Sequence, residues 1–208
     1  MKWISLLLML FVLVSFCVSS CAIDYSERIS KNSLTDSKNS LKVLKQDSGL
    51  NLSDMNISLV VTPTYASGQT VRFTAPYTGW ILKYVLISAS DGWNGSDESS
   101  PKALPFAIEI LDANLSVLHH FSDTQLAYFT NPSELRTASI DIPDTPINGD
   151  FFISFYGYRS IGIAAELENA TGNSYYYDKI SHGLYPADIL LKDNSTVPIN
   201  FIIRAAGR

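Results

Sequence analysis

Few side chains in this 208-residue chain have the type and spacing for covalent or metal chemistry. Its histidines are His119, His120 and His182. His119 and His120 are adjacent in a strand-like run, so their side chains point to opposite faces and cannot share one metal ion. His182 stands isolated. Glu109, in "FAIEILD", would need Glu166 or Asp141 beside it to form the carboxylate pair of a glycoside hydrolase, and nothing local pairs them. The chain contains no G-x-S-x-G elbow, no H-E-x-x-H and no phosphate-cradling glycine loop. No residue is therefore expected to be catalytic. The segment "DGWNGSDESSP" (91–101) offers Asp91, Asn94, Asp97 and Glu98 as hard oxygen donors around Trp93. Such donors suit a structural calcium ion, although the spacing is not that of an EF-hand, and no other cofactor is expected.

Aromatic residues carry the stronger signal. The stretch "NGDFFISFYGYRS" (148–160) holds five rings between Phe151 and Tyr158. Strand alternation puts Phe151, Ile153 and Phe155 on one face, and Phe152, Ser154, Tyr156 and Tyr158 on the other. The first face is purely apolar and must be core, together with Phe73, Phe201 and Ile203. The second carries hydroxyls and is either covered by loops or left as a contact surface. Rings with a polar edge suit saccharides, whose C–H faces stack while hydroxyls find partners. Trp93, Tyr156 and Tyr158 are accordingly the candidate ligand-binding residues, for a glycan or a partner protein.

The elements that must position these residues begin after an export segment. Met1-Lys2 precedes "WISLLLMLFVLVSFCV", the n-region and h-region of a signal peptide. It ends in "VSSC", whose pattern resembles the lipobox of prokaryotic lipoproteins, with Cys21 as the lipidated residue. Cleavage at Ala22 and a retained helix are the alternatives. Cys17 and Cys21 are the only cysteines, so the exported part has neither a disulfide nor a cysteine metal site. Residues 1–21 thus read as signal and anchor, 22–56 as a polar tether too poor in apolar residues to fold alone, and 57–208 as the domain. The expected location is the cell surface, extracytoplasmic and membrane-anchored. Fifteen basic residues face 20 acidic ones without any basic cluster, which excludes nucleic acid as a partner. Asn51, Asn56, Asn94, Asn114, Asn169 and Asn194 each begin an N-x-[ST] sequon, as expected for an exported glycoprotein.

From Ile57 short β-rich runs recur: "ISLVV", "QTVRFTA", "WILKYVLISA", "PFAIEIL", "LSVLHHF", "ASIDIP", "DFFISFYGY", "IGIAAEL", "NSYYYD" and "INFIIRA". Turn-forming Gly, Pro, Asn, Asp and Ser separate them, the pattern of an all-β sandwich of two antiparallel sheets, with a jelly roll as the expected topology. The one helix-like stretch is "SDTQLAYFTNPSELR", read as a turn or two within a long connection. In the last strand Ile199, Phe201 and Ile203 face one way and Asn200, Ile202 and Arg204 the other, the chemistry of a half-buried sheet.

Three segments, "VRFTAPYTGWILKYVLI" (71–87), "INGDFFISFYG" (147–157) and "NFIIRAAG" (200–207), resemble a jelly-roll domain of exported prokaryotic proteins, especially archaeal surface lipoproteins of unassigned function. "NSYYYD" (173–178) sits where that family often has a Ser-Tyr pair. The shared positions are structural: Pro76 and Gly79 in a turn, Gly149-Asp150 opening a strand. The resemblance implies a fold and a location. Two functional classes follow, a non-catalytic surface binding or adhesion module and, as the alternative, an extracellular hydrolase or an accessory domain of one.

Overall fold

The computed structural model describes residues 40–208, apart from residues 63, 97–99, 133–134 and 192–193. The signal, Cys17, Cys21 and most of the expected tether lie outside the described residues, as do Asp97 and Glu98. The strands, in chain order, are β1 (Lys42–Lys45), β2 (Ile57–Val60), β3 (Ser67–Thr74), β4 (Trp80–Ser90), β5 (Pro105–Asp112), β6 (Val117–Thr124), β7 (Arg136–Ile147) and β8 (Asp150–Tyr156). There follow β9 (Gly162–Glu166), β10 (Ser174–Asp178), β11 (Gly183–Pro186), β12 (Asp188–Leu190), β13 (Thr196–Pro198), β14 (Asn200–Phe201) and β15 (Ile203–Gly207). The helix-like stretch yields only a short 3-10 turn, Gln125–Ala127.

The fold is an all-β sandwich. One antiparallel sheet runs β1-β15-β4-β9-β14, with β2 added on β9 and β7 on β4. The other runs β11-β10-β3-β8-β5-β6, and β12 with β13 forms a separate hairpin. Between the two sheets lies one apolar core in which Phe73, Phe151, Ile153, Phe155, Phe201 and Ile203 are all buried, as the alternation predicts. Phe155 meets Phe106 and Phe129 at ring-centroid distances of 5.9 and 5.6 Å, and Phe151 meets Phe73 at 5.4 Å.

Two expectations change. β structure starts at Lys42 rather than Ile57, because β1 pairs residue by residue with β15, from Lys42 opposite Gly207 to Lys45 opposite Arg204. The polar composition hides this strand because only Leu44 of its four residues packs on the core, and an ion pair just beyond its end helps to hold it. Both Asp47 carboxylate oxygens accept from the Arg204 guanidinium, at 2.8 and 2.9 Å, and the Asp47 side chain is fully buried. Such a two-pronged contact is the strong form of this ion pair. Second, the opposite face of the last strand is covered rather than half-exposed. Asn200 and Ile202 are buried, and Asn200 Nδ2 donates to Glu166 Oε2 and to the Asn169 carbonyl.

Register brings several strand ends together at one end of the sandwich. Ser90 lies opposite Gly162, Val60 opposite Ile163 and Ala89 opposite Arg136. In the facing sheet Pro105 lies opposite Thr124, Ala107 opposite Tyr156 and Ser67 opposite Asp178. The short link 157–161 carries the chain from β8 to β9, so these strand ends come together across the sheets. Connections 61–66, 91–104, 125–135, 157–161 and 179–182 therefore all leave from one end.

Candidate ligand-binding site

On the outer face of the six-stranded sheet a polar row crosses five strands in register: His120, Glu109, Ser154, Thr70 and Tyr175. Two neighbouring pairs in the row bond to each other. Thr70 and Ser154 hydroxyls lie 2.7 Å apart, and His120 Nδ1 lies 3.3 Å from Glu109 Oε1. The buried Glu109 also accepts from Lys179 Nζ at 2.7 Å and from the Tyr156 hydroxyl at 2.8 Å. Burial pushes its carboxyl up, but the hydrogen bonds from Lys179 and Tyr156 and the Lys179 charge outweigh it, and the group sits below the ordinary glutamate range. Burial, and then Glu109 beside it, push the Tyr156 phenol far above ordinary tyrosine, so it remains a donor.

Tyr156 is wholly buried, so of the two expectations for its face, covered or left as a contact surface, this ring meets the first, and it is not available as a ligand-binding ring. Its cover is made by side chains rather than by a long loop. Ala107 is its cross-strand neighbour, and a Cβ on Gly68 of β3 would come within 2.8 Å of the ring, so only glycine lets it lie flat on the strand. The Lys179 ammonium sits 4.0 Å above the ring centroid, and Tyr158 stacks beside it at 6.4 Å. Phe152 is likewise buried, edge-on to Tyr175 at 6.4 Å.

The stack continues outward. Tyr158, half-buried, stacks on the exposed Tyr65 at 6.4 Å, and the Arg159 guanidinium lies 6.0 Å over the Tyr65 ring. Tyr158 and Arg159 have φ of 47° and 67°, the paired left-handed residues of a type I′ turn closed by Ser160 N on the Gly157 carbonyl at 2.9 Å. That turn ordinarily takes Asn-Gly. Two bulky residues there cost roughly 1–2 kcal/mol each, the strain that collects at functional positions.

Trp93 lines a pocket of about 320 Å³ at the same end of the sandwich. Gly92, Asn94 and Ser90 stand with it on one side, Asn131, Pro132 and Leu135 on another, and Leu59 of β2 completes the lining. Trp93 itself is half-buried. Asp91 builds this loop: its Oδ1 accepts Trp93 N at 3.0 Å, and its Oδ2 accepts Gln125 Nε2 at 3.1 Å and Thr130 Oγ1 at 2.5 Å. Gln125, fully buried, ties the loop's far side too, donating to the Lys102 carbonyl and accepting from Leu104 N, each at 2.6 Å. Gly95 packs against Pro132 and joins the two connections.

Of the expected ligand-binding residues, Trp93 and Tyr158 arrive at one end of the sandwich, while Tyr156 lies beneath it. Asp91, considered as a calcium ligand, is held by three protein donors. No group of three His, Cys, Asp or Glu among the described residues is arranged to hold a metal ion. Glu166 belongs to β9 and Asp141 to β7, both in the sheet facing that of Glu109, so neither forms a carboxylate pair with it. His119 and His120 do diverge as expected; His182 is not isolated, since its Nδ1 lies 3.1 Å from the Tyr177 hydroxyl. All six sequon asparagines are exposed. Sequence reasoning missed Tyr65, Arg159, Lys179 and Gln125. The one available signal was the unlikely "YR" pair in a glycine-bounded turn. No protein-family model matches this chain, and no curated protein shows significant sequence similarity to it.

Proposed function

We propose that this protein is a non-catalytic surface binding or adhesion module, a jelly-roll domain related to those of archaeal surface lipoproteins. In this reading Cys21 carries the lipid, the polar segment after it is a spacer, and the ligand is a glycan or the glycan-bearing surface of an envelope protein. The observation that carries the reading is the Trp93 pocket, where an indole stands among the Asn94 and Asn131 amides and the Ser90 hydroxyl. A ring for C–H stacking with amides and a hydroxyl at its edge is saccharide chemistry. Exposure of every sequon asparagine supports the extracytoplasmic setting.

The test is binding of the purified protein to isolated cell envelope, with a glycan array beside it. Trp93→Ala should weaken binding by about 0.5–1.5 kcal/mol, roughly two- to tenfold in Kd, for loss of a stacked ring. Unchanged binding by a folded Trp93→Ala protein overturns the assignment. The hydrolase alternative draws on one observation, the buried and ionised Glu109. An activity panel on wild type and Glu109→Gln decides it: turnover that vanishes in the variant would establish an enzyme.

A further inference from the structure

The pocket that holds Trp93 also holds the first residue of a sequon. Asn94 lines that pocket beside Trp93 and opens the sequon Asn94-Gly95-Ser96. It is exposed, so a transferase can reach it. Its Oδ1 accepts Ser96 N at 3.1 Å, which folds the sequon into an Asx turn. Its Nδ2, the atom that takes the sugar, has no hydrogen-bond acceptor among the described residues. Gly95 supports the same shape with a φ of +76°. The other sequons differ: Asn51 and Asn56 amides are tied to Asp54 and Glu168, at 3.4 and 3.1 Å, and none of the other five asparagines lines this pocket.

We infer that N-glycosylation of Asn94 gates the Trp93 pocket, the first sugar of the attached glycan stacking on the indole and excluding an external ligand. This rests on the binding function proposed for that pocket. In the transfer, Asn94 Nδ2 bonds to the anomeric carbon of a lipid-linked glycosyl pyrophosphate. The bond from that carbon to the pyrophosphate oxygen breaks, the lipid pyrophosphate leaves, and one amide proton passes to the transferase's base. The sugar then begins one bond from Nδ2, inside a pocket whose volume of about 320 Å³ suits a small ligand. Glycosylated protein presents a filled site and unglycosylated protein an open one.

The chain's tryptophans make this measurable. Trp3 lies in the leader and Trp80 is fully buried, so collisional quenching of fluorescence in the mature protein reports on Trp93. The full chain is expressed in a host that glycosylates exported proteins, as wild type, Ser96→Ala and Asn94→Gln. Ser96→Ala abolishes the sequon while keeping Asn94 in the pocket. Peptide mass should show sugar on Asn94 in wild type alone. Quenching should rise roughly twofold in both variants, since a stacked sugar shields one of the two indole faces. Envelope binding should strengthen in Ser96→Ala and fall again in Ser96→Ala with Trp93→Ala. An unmodified Asn94, whether or not other sequons are occupied, overturns the proposal, as does a modified Asn94 with quenching equal to that of the variants. If binding needs Trp93 but is indifferent to Ser96→Ala, gating fails and the binding site stands. If Asn94 is glycosylated and shields Trp93 while no variant binds envelope, the external-ligand reading fails instead.

Discussion

Glu109 has the burial and charge of a catalytic group, and its partners lie within the fold. Its carboxylate is buried and ionised, yet Lys179, Tyr156 and His120 already engage it. Because its folded pKa is depressed, the stability it contributes is fully present above the ordinary glutamate range and is lost as pH falls through the folded value. Glu109→Gln should therefore flatten the acid side of the stability–pH curve, below about the ordinary value of 4.5, and leave its alkaline side unchanged. Urea melts at a series of pH values check this, and an unaltered acid limb would show that the group is not preferentially ionised in the fold. Phe155 makes the opposite case, an apolar residue whose facing is decided by alternation alone. Phe155→Ala should cost about 3–5 kcal/mol by leaving a cavity between the sheets. A loss below about 1 kcal/mol in chemical denaturation would place its ring outside the core.

Among the elements, legibility followed periodicity. In β5 and β8 the inner faces were readable because Phe106, Ile108 and Ile110, and Phe151, Ile153 and Phe155, recur at every second position, although both faces of these strands are buried. β1 was not readable, since "KVLK" lies in a Ser- and Lys-rich segment and its partners, β15 with Arg204, are separated from it by most of the chain. The short β11, at the edge of the six-stranded sheet, and the separate β12–β13 hairpin carry little burial to signal them. Site residues were legible only in part, because ring type and local polarity mark Trp93 and Tyr158, whereas Lys179 meets Glu109 across 70 positions. The turn carrying Tyr158 and Arg159 gives an element-level test. Arg159→Gly removes left-handed strain of roughly 1–2 kcal/mol, offset by roughly 0.5–1 kcal/mol of glycine entropy and a weak exposed cation–π contact. Thermal melts should show a stability unchanged or raised by up to about 1 kcal/mol. A loss beyond about 1 kcal/mol would mean that the arginine anchors the fold instead of being held for contact.

At the scale of the whole molecule, the proposed lipid anchor is tested at its own residue. Cys21→Ala should end metabolic lipid labelling and release the protein from membranes into the soluble fraction. Labelling that persists unchanged would return the N-terminus to one of the alternative signal readings. An anchor at Cys21 would also give the arrangement a direction. The chain enters the sandwich at Lys42, opposite Gly207, whereas Ser90, Gly162 and Tyr156 mark the far end that carries Trp93, Tyr65 and Arg159. β1 therefore starts at the end of the sandwich opposite the one that carries Trp93.

β1 then acquires a mechanical meaning. A ligand held at the loop end and an anchor drawing on Lys42 would pull β1 along its own axis, antiparallel to β15. Load in that direction is shear: the hydrogen bonds from Lys42 to Lys45 and the Asp47–Arg204 clasp resist together, rather than parting one at a time as they would if the strand were peeled sideways. A short strand with one ion pair beyond its end is the first part to yield under such tension. Its loss would lengthen the path to the anchor and relax the force before the inter-sheet core is reached, so in the proposed adhesion module β1 would act as a fuse.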